Sequence, residues 1–112
     1  MATTYKVLGQ QAPLGNTEVI LYTVPAATST VVSSITICNR DTDACTFRVS
    51  VSIGGAATAN RDYIYYDVTL AGNDTFIATI GITMAATDVI RVRASGLGGD
   101  NVTFQAFGSE LT

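Results

Sequence analysis

Histidine and tryptophan are both absent from this chain of 112 residues. Without histidine it lacks the commonest general base and the commonest metal ligand, and no cofactor or metal is expected. Charge is scarce as well: charged side chains make up 13% of the sequence, about half the usual share. Six Lys and Arg against nine Asp and Glu leave a net charge of -3, and the basic residues are scattered. Binding to phosphates through released counterions needs them clustered, so nucleic acid is not an expected partner. No apolar run approaches the ~20 residues of a membrane-crossing helix, so no membrane partner is expected. The first residues, Met1 to Lys6, hold no signal-peptide core, which points to synthesis in a cytoplasm.

What is there is a 47% share of hydrophobic residues arranged with period two. From Cys45 to Ile53 the alternation is unbroken, with Phe47, Val49, Val51 and Ile53 on one face and Thr46, Arg48, Ser50 and Ser52 on the other. Before it, Thr30 to Asn39 carries Val31, Ile35 and Ile37 on one face and Val32, Ser34, Thr36 and Cys38 on the other. The polar stretch Asn39 to Ala44 between them reads as a turn, which makes the pair a central β-hairpin with one apolar side. Such a hairpin needs a second layer to bury that side.

Further strands are expected at Glu18–Val24, Asp62–Leu70, Thr75–Thr83, Asp88–Ser95 and Val102–Ser109, separated by Pro25, Gly54-Gly55, Gly72-Asn73 and the glycine-rich run at Gly96. Residues 1–17 hold one short strand candidate, Tyr5–Leu8, and read as an N-terminal arm with a loop; residues 18–112 form the folded domain. Seven firm strands plus the arm, and no long helix, predict a single-domain antiparallel β-sandwich of 7–8 strands. A closed barrel is the second choice. Spacing leaves jelly-roll and immunoglobulin-like connectivity both open.

Little in the sequence carries chemistry. The carboxylates sit at strand ends and turns, where Asp caps backbone, and no acid pair is placed for catalysis. Asn39-Arg40-Asp41-Thr42-Asp43 has alternating oxygens but lacks the glycine and closing glutamate of a calcium loop. Gly96-Leu97-Gly98-Gly99 precedes a strand, so no helix N-terminus stands there to receive an anion. Cys38 and Cys45 flank the Asn39 turn, and a disulfide between them would remove roughly 2.5 kcal/mol of loop entropy from the unfolded state. In a hairpin, however, Cys38 points outward and Cys45 inward, so free thiols are expected and the disulfide is disfavoured. Tyr63, Tyr65 and Tyr66 put aromatic rings on both faces of one strand, and Arg91 and Arg93 alternate on the outer face of another. These five are the candidate partner or oligomer surface.

In order along the chain, Leu21-Tyr22-Thr23-Val24-Pro25-Ala26, Ile37-Cys38-Asn39-Arg40, Phe47-Arg48-Val49, Tyr63-Ile64-Tyr65-Tyr66-Asp67, Asn73-Asp74-Thr75-Phe76 and Thr87-Asp88-Val89-Ile90-Arg91-Val92 follow a pattern that resembles small virion structural proteins of tailed bacteriophages, of cyanophage type. The resemblance runs from about Leu21 to Gly108. It implies a non-enzymatic β-sandwich subunit on the virion, a capsid decoration or cement protein that binds the major capsid protein or other virion subunits. A homo-oligomer, dimer or trimer, would suit sites on a symmetric shell. The alternative function is a tail, baseplate or fibre module that binds a host-surface glycan through exposed tyrosines. A carboxylate-dependent hydrolase would need two acids converging in one cleft.

Overall fold

A computed structural model describes residues 2–112. Its strands are β1 (Thr3–Gln11), β2 (Val19–Thr23), β3 (Ser29–Asn39), β4 (Cys45–Ser52), β5 (Tyr63–Leu70), β6 (Thr75–Ala78), β7 (Ile82–Met84), β8 (Val89–Ser95) and β9 (Val102–Leu111). They form two antiparallel sheets. The first runs β1-β9-β3-β6, with β7 also on β3, and the second runs β2-β8-β4-β5. The pairing is nested: β4 lies beside β5, β3 beside β6 and β7, β2 beside β8, and β1 beside β9. One long hairpin with its tip between β4 and β5 has therefore been rolled up so that its arms alternate between two layers. That is jelly-roll connectivity, which resolves the choice the spacing left open.

The expected central hairpin does not form. β3 belongs to the first sheet and β4 to the second, so residues 40–44 make an arch from one layer to the other. Both arrangements bury the same alternating apolar sets. In the arch the chain supplies its own second layer, with Ile35 and Ile37 in one sheet and Phe47 and Val49 in the other, all buried in one core. Asn39, 1% exposed, pins the arch: its Nδ2 donates to the carbonyls of Asp43 (2.9 Å) and Ala71 (3.2 Å), and its Oδ1 accepts from the Asp41 N–H at 3.0 Å. Gly72 lies against the arch so closely that an added Cβ would stand 2.0 Å from the Thr42 carbonyl oxygen, which accounts for a glycine there.

A bulge corrects the face assignment in β3. Val32 pairs with Gly108 and Ser34 with Phe107, leaving Ser33 extra. This one residue shifts the parity, so Val32 is fully buried alongside Ile35 and Ile37 while Val31 is 37% exposed. On the other side of β3, the strand expected at Thr75–Thr83 breaks into β6 and β7 around Thr79–Gly81, opposite the same bulge. Ile53, expected on the core face, lies in a 3-10 turn beyond β4 and is 82% exposed. Residues 3–11, read as an arm with a short strand, form a nine-residue edge strand paired with β9 from Thr3 to Gln11.

Candidate functional site

The two outer faces of the sandwich differ in chemistry. On the second sheet, β4 and β8 set Arg48 directly opposite Arg93, and Ser50 opposite Arg91. β5 meets this face through two bulges. Phe47 pairs with Val68 and Val49 with Tyr65, so Tyr66 and Asp67 together oppose Arg48; Ser50 then pairs with Tyr63, leaving Ile64 extra. Asp67 takes a left-handed conformation, φ 51°, to make the first bulge. Strict alternation would put Tyr63 and Tyr65 on one face and Tyr66 on the other. The bulges instead bring Tyr63 and Tyr66 together outside, at 4.8 Å and nearly perpendicular (81°), and send Tyr65 inward against Phe47 and Phe76.

Arg48 lies over this aromatic pair, 4.2 Å from the centre of the Tyr66 ring, and grips Asp67 with two hydrogen bonds, Nε to Oδ1 at 2.7 Å and Nη2 to Oδ2 at 3.1 Å. The pair reinforces both charges: Arg48 holds the Asp67 carboxyl below the usual carboxylate range, and Asp67 raises the Arg48 guanidinium. Arg91 is committed elsewhere. It donates to Ser52 Oγ (3.0 Å) and to the carbonyls of Ala56 (2.7 Å) and Gly55 (3.2 Å), fastening the loop between β4 and β5. Of the five residues expected on a partner surface, Tyr63, Tyr66 and Arg93 share this face, Arg91 fastens a loop at its margin, and Tyr65 belongs to the core margin. Asp67 was not foreseen, because its position depends on a bulge that alternation does not announce.

On the first sheet the outward rows are Tyr5, Val7 and Gln10 on β1, Thr103, Gln105, Phe107 and Ser109 on β9, Val31, Ser33, Thr36 and Cys38 on β3, and Ile77 on β6. No charged residue stands in these rows; at one end Arg40, from the arch, donates its Nε to Thr103 Oγ1 at 3.0 Å. Tyr5 is 84% exposed and Ile77 64%. A shallow groove of about 390 Å³ runs between Tyr5, Lys6, Val31, Ser33 and Phe107. Phe107 was the available signal in the sequence: next to the inward Ala106, its parity places it outside.

The carboxylates serve the fold. Asp41 accepts from the Asp43 N–H and from Asn101 Nδ2, bonds that hold its carboxyl below the usual range. Asp62, Asp74, Asp88 and Asp100 each accept from backbone N–H groups at 2.7–2.9 Å. Both cysteines are free thiols, Cys45 buried and Cys38 half-buried, and they stand in different sheets. Burial pushes the Cys45 thiol up.

No family model matches the chain, and no curated protein matches it. Among solved structures it is similar to a chain in the structure of infectious bursal disease virus, Gx strain, at 11% identity with a TM-score of 0.52. The fold is shared with that viral chain. The match covers 98% of this chain and 32% of that one, so this chain spans about a third of the neighbour's length. The likeness is one of architecture, an entire two-sheet jelly roll against one part of a larger chain.

Proposed function

We propose that this chain is a non-enzymatic structural subunit of a virus particle, a decoration or cement protein that docks on the assembled shell through protein–protein contacts. The observation that carries the reading is the outer face of the first sheet, whose rows hold no charge and expose Tyr5, Val7, Val31 and Ile77 beside the Phe107 groove. A face of that kind is suited to another protein surface rather than to an ionic ligand. The jelly-roll fold, shared with a chain in a virus structure, agrees with a place on a virion. Most of the carboxylates are engaged in backbone capping or ion pairing, which favours a structural over a hydrolytic role for them. A ligand that binds only assembled shell stabilises that shell by mass action.

The test is titration of phage shells stripped of accessory proteins with the purified protein, with occupancy and shell melting temperature recorded together. Saturable binding and a rise in melting temperature are expected, both abolished by Phe107→Lys. Absence of binding overturns the cement reading.

A second reading has its own observation, the exposed Tyr66 packed on the half-buried Tyr63, and would make the protein a glycan-binding tail, baseplate or fibre module. The perpendicular rings and the Arg48 guanidinium over Tyr66 leave no broad flat platform for a sugar. Glycan binding by the isolated protein that is lost in Tyr66→Ala would put this reading first.

A further inference from the structure

A sheet edge with unpaired backbone groups is a template for another strand, and proteins blunt such edges with short strands, bulges, breaks or charge. Three of the four edges here are blunted. β6 and β7, four and three residues long, are separated by a break. β5 carries two bulges. β2 is five residues long, has a bulge between Ile20 and Tyr22, and has its Ile20 carbonyl covered by Gln11 Nε2 at 3.0 Å. The first half of β1 is the exception: before a bulge at Leu8 its pairing with β9 runs without a shift from Thr3 to Val7, and no proline interrupts it. Its one charge, Lys6, is turned away from the outer face and held 3.3 Å from Glu110.

The hydrogen-bond phase of β1 is fixed by Ala2 and Thr112, which exchange two backbone bonds of 2.9 Å each. Alternation along an antiparallel ladder then directs Thr4 and Lys6 toward β9 and leaves the N–H and C=O groups of Thr3, Tyr5 and Val7 at the free edge. Their side chains lie on the outer face, in a row that holds no charged residue.

We infer that this edge pairs with the same edge of a second copy of this chain, across a two-fold axis at Tyr5, to join two first sheets into one continuous sheet. The register follows from charge and from hydrogen-bond phase. With the axis at Tyr5, Tyr5 faces its own counterpart and Thr3 faces Val7 of the second copy, all with free edge groups, for roughly six hydrogen bonds in total. Moving the axis one residue to Lys6 would set two ammonium groups opposite each other, which opposes pairing. An uncharged row is self-complementary, as a two-fold interface requires. The joined sheet also places the two Phe107 grooves on one surface. The inference rests on the edge alone and stands whether or not a shell is the partner of the face.

Sedimentation velocity of the full chain from about 1 µM to about 1 mM is the test. A reversible dimer is expected for the parent. Tyr5→Lys, which sets like charges on the axis, is expected to weaken it at least ~10-fold while leaving the melting temperature near that of the parent. Amide exchange in the parent gives a readout that needs no variant: the Thr3, Tyr5 and Val7 N–H groups slow as concentration rises, while those of β5 do not. A parent that stays monomeric throughout, a dimer indifferent to Tyr5→Lys, or edge amides indifferent to concentration each overturn the inference. The first of these would leave the edge to a strand from a different protein.

Discussion

The hydroxyl of Tyr22 donates to Glu110 Oε2 at 2.5 Å and lies 2.7 Å from Thr30 Oγ1, inside the mouth of the sandwich. Burial first, and then the bond to Glu110, push this phenol from its ordinary 10.0 up to about 12. The fold favours the neutral phenol, so its contribution is complete below pH 10 and is lost as the pH rises toward 12. The same hydrogen bond, with help from Lys6, holds Glu110 below its ordinary 4.5. There the fold favours the carboxylate, whose contribution is present above pH 4.5 and is lost as the pH falls through the lowered value. Tyr22→Phe should lower stability at pH 7 by about 2 kcal/mol, and the gap from the parent should narrow between pH 10 and 12, read by urea unfolding at each pH. Asn39→Asp keeps the shape but sets an acceptor against the carbonyls of Asp43 and Ala71. It should cost about 3 kcal/mol at neutral pH and less in acid, where the protonated carboxyl regains a donor. Sequence alone marked Asn39 only as turn-forming. Its role became visible once the loops it ties together were brought to one place.

At the scale of elements, the strands were largely legible and the faces were so only between bulges. β8 shows Ile90, Val92 and Ala94 inward as alternation required, and β9 does the same with Val102, Phe104 and Ala106. In β3 and β5 an extra residue shifts the parity, and nothing in the local composition marks Ser33 or Ile64 as that residue. The bulge at Ser33 makes a sharp comparison between neighbouring valines. Val32→Asp buries a carboxylate in the core and should unfold the protein or cost more than about 4 kcal/mol. Val31→Asp should cost under about 1 kcal/mol, because its side chain reaches solvent. Equal effects in thermal melts would show that the parity does not shift there. The same effect sorts the tyrosines of the candidate surface, since the bulges in β5 turn Tyr65 toward the core and bring Tyr63 and Tyr66 together outside, while Arg91, on the regular β8, fastens a loop and Arg93 stays on the outer face.

At the scale of the whole molecule, the nested pairings join distant parts of the chain, with Thr3 beside Leu111 and Val19 beside Val92. Closing such contacts costs loop entropy before any burial offsets it, so refolding in a stopped-flow experiment should take milliseconds to seconds rather than microseconds. A single shared core should give one cooperative transition, with the same midpoint by fluorescence and by far-UV circular dichroism. Period-two alternation and turn residues act over a few neighbours, so the all-β class, nearly all of the strands and most of the core are legible in the sequence. That β3 and β4 face each other across the core, that the hairpin rolls up into a jelly roll, that β1 is an open edge, and that the uncharged outer rows stand together on one face emerge only once the chain is folded. Those features depend on which strands become neighbours and on where one extra residue shifts the register, and a local pattern satisfied equally by a hairpin and by an arch carries neither.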